Sequence, residues 1–149
     1  MNVRFIRLSA AALIVGGIAA ISSGVFPVPA FAHGDVTPQA VDTSGLEPLG
    51  KEWKESNPYR GNERAIEIGK SAFNQNCARC HGLGAVSGGI APDLRFLEPG
   101  DGGDEWFKER VINGAVRDGR VYMPKMADFL SQEALWAVRT YLESVHVEE

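Results

Sequence analysis

An apolar run from Leu8 to Val25 follows Arg4 and Arg7 and gives way, after Pro27 and Pro29, to Ala30-Phe31-Ala32. A short basic head, an apolar centre and a small-x-small triplet are the anatomy of an export signal, so residues 1–32 are expected to be a signal peptide cleaved after Ala32. The run approaches the length of a membrane span, but Gly16, Gly17, Ser22, Ser23 and Gly24 interrupt it. From His33 to about Asn62 the chain is rich in Pro, Gly, Thr and Ser and has no helical period, which predicts an extended N-terminal arm over residues 33–61. Leu46, Leu49, Trp53 and Tyr59 make that arm apolar enough to lie on the domain that follows, residues 62–149.

Within that domain three helices are predicted. Asn62 caps the first, which begins at Glu63, places Ile66, Gly69 and Phe73 on one face and delivers the chain to Cys77. Asp104 is placed as the cap of a second helix carrying Trp106, Phe107 and Val111, with Gly114 as its stop. The third starts near Ser131, with Glu133 in its first turn and Leu135, Val138 and Leu142 on one stripe beside Ala134, Ala137 and Tyr141. Gly82 to Gly89 and the segment up to Met123-Pro124 read as loops. No segment alternates as a strand should, so the predicted class is all-α.

Cys77-Ala78-Arg79-Cys80-His81 changes the picture, because Cys-x-x-Cys-His is the attachment site of a c-type haem. The two thiols add to the two vinyl groups of the porphyrin, and the next residue then presents imidazole to the iron, making His81 the proximal ligand. A thioredoxin-like pair does not need the histidine. A zinc site needs further ligands at matching spacing, and these are the only two cysteines. One covalent haem c is therefore expected. It agrees with export, since the haem is attached outside the cytoplasm, which in bacteria means the periplasm. With both thiols committed no disulfide is available, and the haem itself must fill much of a modest core.

The first 32 residues hold two of the fifteen Lys/Arg and none of the nineteen Asp/Glu, so the remainder has a formal charge of −6. That balance argues against nucleic acid and anionic membranes as partners, and allows steering toward a basic patch on another protein.

The second axial ligand decides the chemistry. Iron with one open face binds gases or peroxide, whereas iron held on both sides passes electrons. With Met1 lost, Met123 and Met126 remain. Met123 precedes Pro124 in a loop long enough to reach the far face, and proline keeps it out of a helix. Met126 lies nearer the last helix, where methionine more often fills core. Met123 is the expected ligand and Met126 the alternative.

Ile66 to His81, Pro92-Asp93-Leu94, Met123-Pro124 and Leu135 to Leu142 together resemble the monohaem class I cytochromes c, over residues 62–149. The resemblance implies that family's fold, with an N-terminal helix crossing a C-terminal one at Gly69, Phe73 and Tyr141. It implies that the carbonyl of Pro92 accepts the ring proton of His81, fixing its tautomer. Members of the family often carry an aromatic two or three residues past Met-Pro, where this chain has Met126. The arm from His33 to Gly50, with Asn57-Pro58-Tyr59-Arg60-Gly61, is similar to the start of the soluble cytochromes c that accept electrons from pyrroloquinoline-quinone (PQQ) alcohol dehydrogenases, especially those oxidising ethanol. That resemblance implies a monomeric periplasmic one-electron carrier, not an enzyme, between such a dehydrogenase and a terminal oxidase or another cytochrome. The alternatives are a generic carrier, or a haem enzyme or sensor with a displaceable Met123 and with Arg117 and Arg120 nearby.

Other residues carry weaker readings. His33 as a new N-terminus offers an amine and an imidazole to copper, but a disordered terminal histidine is the expected reading, and His146 reads as surface in a frayed tail. Arg79 or Arg95 could neutralise a haem propionate, and Trp106 or Trp136 could donate an indole N–H to one.

Overall fold

Asn62 ends the extended segment and begins the first helix, its side-chain oxygen accepting from the Ala65 N–H at 3.0 Å. The computed structural model describes residues 38–148; the segment expected to be an export signal, the expected cleavage after Ala32 and His33 lie outside the described residues. Helix α1 spans Glu63–Asn76, α2 is the single turn Ala78–His81, α3 spans Asp101–Asn113 and α4 spans Gln132–Ser144. Short 3-10 turns occupy Leu83–Ala85, Leu94–Phe96 and Met126–Asp128.

The buried positions of α1 are Ala65, Ile68, Gly69, Ala72 and Phe73, a three-and-four spacing that forms one stripe. Ile66 stands at its edge, only partly buried. The stripe packs on α4. At the crossing Gly69 has no room for a side chain: a Cβ there would overlap the Ala137 carbonyl oxygen and lie 3.0 Å from the Tyr141 Cβ. The Phe73 and Tyr141 rings close the seam with centroids 5.6 Å apart.

Helix α4 is buried on every side from Gln132 to Leu142, not on one stripe. The reason is the preceding arm. Leu49 N–H donates to Glu133 Oε1 at 2.8 Å, Lys54 N–H to Gln132 Oε1 at 2.9 Å, and Gln132 Nε2 returns bonds to the carbonyls of Gly50 and Glu52. The Trp53 ring meets Trp136 edge-on at 6.3 Å. Tyr59 is buried and donates its hydroxyl to the Glu47 carbonyl, and burial, helped by Glu133 and Glu47, pushes its pKa up to about 12.

Helix α3 corrects one expectation. It starts at Asp101, a turn earlier than predicted, and Asp104 is not its cap but a fully buried carboxylate inside it. A buried carboxylate must be paired. Asp104 accepts from Arg139 Nε at 2.7 Å, Arg60 Nη2 at 2.5 Å and the Asn57 N–H at 2.7 Å. Arg139, equally buried, also donates to the Glu98 carbonyl at 2.8 Å. This network ties the arm, α3 and α4 together. Arg60→Met removes one charged donor while Arg139 still pairs Asp104, so it is expected to cost about 1.5–2 kcal/mol in denaturant unfolding. A loss below about 0.5 kcal/mol would mean that Arg60 does not hold the arm.

The second difference is a small antiparallel hairpin in the segment read as a loop. Strand β1 (Ala115–Arg117) pairs with β2 (Arg120–Met123), with an irregularity between Ala115 and Val116. Its turn is Asp118-Gly119, both at positive φ (49° and 72°), as a two-residue hairpin loop requires. The class is otherwise helical, as expected.

Candidate functional site

Helix α1 hands the chain directly to the cysteines. The Cys77 N–H donates to Phe73 O at 2.8 Å, and α2 turns Cys80 and His81 back so that their N–H groups reach the Cys77 carbonyl at 3.1 and 3.0 Å. Gly82, at φ +80°, then folds the chain so closely on Val86 that a Cβ would overlap its carbonyl oxygen. Burial, with Cys80 beside it, pushes the Cys77 thiol up to about 12. An uncharged linkage suits that position better than a thiolate.

His81 Nδ1 lies 2.9 Å from the Pro92 carbonyl oxygen. A carbonyl only accepts, so Nδ1 carries the proton and Nε2 keeps a free lone pair. Pro92 is held in place by its neighbour. Asp93 accepts from the Ser87 N–H at 3.1 Å and takes the Arg95 guanidinium on both oxygens, at 3.0 and 2.8 Å. The Arg95 guanidinium, foremost, with backbone N–H groups of Ser87 and Arg95, holds the Asp93 carboxyl well below the usual range. Arg95 is thereby engaged as an anchor of the loop and does not line the cavity.

Cys77, Cys80, His81 and Pro92 open on a cavity of about 730 Å³, whose walls include Leu94, Phe107, Val111, Leu135 and Val138. Met123, Pro124 and Met126 line it as well. Met123 ends β2 and is half-buried, whereas Met126 begins a 3-10 turn and is 5 % exposed. Gly114, at φ +67°, packs under this segment, its missing Cβ 2.5 Å from the Met123 carbonyl oxygen. Trp106 reaches the cavity; Trp136 does not, and its buried Nε1 has no hydrogen-bond partner among the described residues. His146 is not a surface residue of a frayed tail: it is half-buried with Nδ1 enclosed, and Val147 N–H bonds back to Arg95 O at 3.0 Å.

Residues 64–142 match the family described as cytochrome C oxidase, cbb3-type, subunit III. Cytochrome c550 of Pseudomonas aeruginosa is 77% identical over 124 residues, which cover 80% of this chain and 86% of that protein. The chain belongs to the monohaem cytochromes c. It is a carrier of the cytochrome c550 type, an electron-transfer protein with one haem c held through Cys77 and Cys80. The quinohemoprotein alcohol dehydrogenase ADH IIB of Pseudomonas putida is 33% identical over 92 residues, 62% of this cytochrome but only 13% of that enzyme. Cytochrome cL of Methylophaga aminisulfidivorans superposes with a TM-score of 0.51 at 21% identity, over 71% of this chain and 74% of that one, and shows the same fold.

The donor set fits the cofactor. An apolar cavity of this size, with two thiols on one wall, one imidazole with a free Nε2 and two thioethers, matches a flat apolar macrocycle around a metal that takes nitrogen and sulfur ligands. The Asp93 clamp, the hairpin and the Asp104 network are the supporting features that sequence reading missed. For the hairpin a signal was there: Asp118-Gly119 between Val116-Arg117 and Arg120-Val121.

Proposed function

We propose that this cytochrome c is a periplasmic electron carrier with His81 and Met123 as axial ligands, reduced by a PQQ-dependent alcohol dehydrogenase of the ethanol-oxidising kind and oxidised by a terminal oxidase or another cytochrome. The observation that carries the ligand assignment is that one and the same cavity is lined by Cys77, Cys80 and His81 and by Met123. Pro92 fixes the His81 tautomer so that Nε2 is the basic atom. Met126, packed in the core by its own 3-10 turn, fills space beside Met123. The bound haem supplies an iron that alternates between Fe(III) and Fe(II), at a potential that His/Met ligation raises. The apolar walls keep water from the cavity, and Ile90, Val116 and Tyr122, which both line it and stand exposed, form the rim where a partner comes within reach.

The donor assignment is supported by the likeness to a segment of the putida quinohemoprotein alcohol dehydrogenase. A domain of this kind inside a dehydrogenase chain takes electrons within the molecule; a free-standing one takes them across molecules. A reduced quinone gives up two electrons per alcohol oxidised, so two carriers are reduced in each turnover. The basic head and apolar run before Ala32 support export to the periplasm through a signal peptide, with residues 33–61 as an arm on the domain.

Stopped-flow mixing with a purified ethanol-oxidising quinoprotein and its substrate is expected to reduce the cytochrome at a rate that saturates with cytochrome concentration. The second-order rate is expected to fall as salt rises, because screening shortens the range of charge steering. A salt-insensitive rate would remove the steering and leave the pairing. No reduction by quinoprotein dehydrogenases, together with fast reduction by a quinol-oxidising complex, would overturn the pairing in favour of a generic carrier.

A further inference from the structure

We propose that Asn76 is a positioning residue for the haem: it clasps the main chain of Gln39 and so makes the first described residues of the arm a wall of the haem cavity beside Cys77. The inference rests on the haem occupying that cavity and is independent of the electron donor and of which sulfur binds the iron. The Gln39 N–H donates to Asn76 Oδ1 at 2.6 Å, and Asn76 Nδ2 donates to the Gln39 carbonyl at 3.2 Å. One side chain thus takes both main-chain polar groups of a residue 37 positions away, as a neighbouring strand would. Asn76 Nδ2 also donates to the Ala72 carbonyl at 3.1 Å, which fixes the amide against its own helix.

Pro38, Gln39 and Asn76 line the cavity together with Cys77. Asn76 directly precedes Cys77, so the clasp lies at the edge of the haem that carries this thioether link. The wall suits an apolar neighbour: Pro38 has no N–H to leave unpaired, and the polar main chain of Gln39 is bonded to Asn76. The clasp is also separable from the fold. Val41, Leu46, Leu49, Trp53 and Tyr59 pack on the core further along the arm, so cutting the clasp loosens residues 38–40 and leaves the rest in place. Gln75 lines the cavity too, but its Nε2 turns back to Ser71, at 3.2 Å from the carbonyl oxygen and 2.9 Å from Oγ. It therefore stands beside the clasp without forming it. Water admitted at the haem edge solvates the extra positive charge of Fe(III), so an intact wall raises the potential.

The test uses the holoprotein and two independent cuts. Asn76→Ala removes both bonds from the helix side; Gln39→Pro removes the donating N–H and leaves Asn76 in place. Gln39→Ala, which keeps the N–H, and Gln75→Ala, beside the clasp, are the controls. Both cuts are expected to lower the midpoint potential with the low-spin spectrum retained, while both controls keep the parent's potential. In Asn76→Ala the Gln39 amide is expected to exchange hydrogen at least about tenfold faster, because its hydrogen bond to the side chain is gone. An amide released while the potential stays at the parent's value overturns the proposal, since the arm then borders the haem without shielding it. So does a Gln39 amide as protected as the parent's, or an equal fall in potential in Gln75→Ala. A fall accompanied by loss of the low-spin spectrum overturns it as well, because the ligands of the iron have then changed. If Asn76→Ala yields no holoprotein, Gln39→Pro and Gln39→Ala decide: a lower potential in Gln39→Pro alone supports the wall, and equal potentials overturn it. Reduction by the dehydrogenase is not read in this experiment, so failure of the donor assignment leaves its outcome unchanged.

Discussion

Gly69→Val is expected to destabilise the holoprotein by more than about 4 kcal/mol, beyond the usual cost of overpacking, because the added atoms meet backbone and not a movable side chain. A Cβ at residue 69 already overlaps the Ala137 carbonyl oxygen, sits 2.5 Å from the carbonyl carbon and lies 3.0 Å from the Tyr141 Cβ, and the branched methyls add bulk at that same crossing. Relief requires α1 and α4 to separate. That separation would open the Phe73–Tyr141 contact and withdraw Ala65, Ile68 and Ala72 from the core. The measurement is thermal unfolding followed by circular dichroism, with a fall in Tm of at least about 10 °C. Gly102→Ala is the matched control: Gly102 is exposed in the first turn of α3, its Cβ would meet nothing closer than Glu98 Oε2 at 3.6 Å, and a change within about 0.5 kcal/mol is expected. A Gly69→Val protein as stable as the Gly102→Ala one would mean that the helices do not cross at residue 69.

Residues with a strong local signature were legible in the sequence. Asn62 and Ser131 announce helix starts through side chains that reach back to the backbone N–H three residues on, at 3.0 and 3.2 Å. Cys77, Cys80 and His81 are contiguous and carry their chemistry in their spacing. What escaped depends on partners far along the chain. Asp104 has the residue type of a cap, yet Arg139 and Arg60, 35 and 44 residues away, take its carboxylate into the core. Helix α4 looks one-sided until the arm covers its outer face, and only then do Gln132 and Thr140 make sense as buried residues, bonded to the arm's carbonyls and to Asn57. The hairpin was hidden by its length, since three or four residues leave little room for alternation, although its Asp-Gly turn was in view. That Arg79, Arg110 and Arg117 all line the haem cavity could not be read along the chain at all, because they come from three different elements.

Met123→Ala is expected to abolish the weak sulfur-to-iron charge-transfer band of the oxidised protein and to turn low-spin iron into a high-spin or ligand-exchanged form, with a lower potential, since the thioether that favours Fe(II) is gone. Met126→Ala separates the two sulfurs by failing differently. Met126 is a core residue, packed with the cluster that includes Val111, Leu130 and Leu135, so its truncation is expected to cost about 2–3 kcal/mol of stability while the band persists. Met123 is half-buried at the end of a short strand, so its truncation leaves a smaller void and costs less stability than it costs spectrum. Optical and magnetic spectra, read beside denaturant unfolding of the same two variants, give four numbers with one predicted pattern. A band lost in Met126→Ala and kept in Met123→Ala would move the axial ligand three residues along the chain, from the strand end to the 3-10 turn. The hairpin and Gly114 would then brace a loop that only borders the haem.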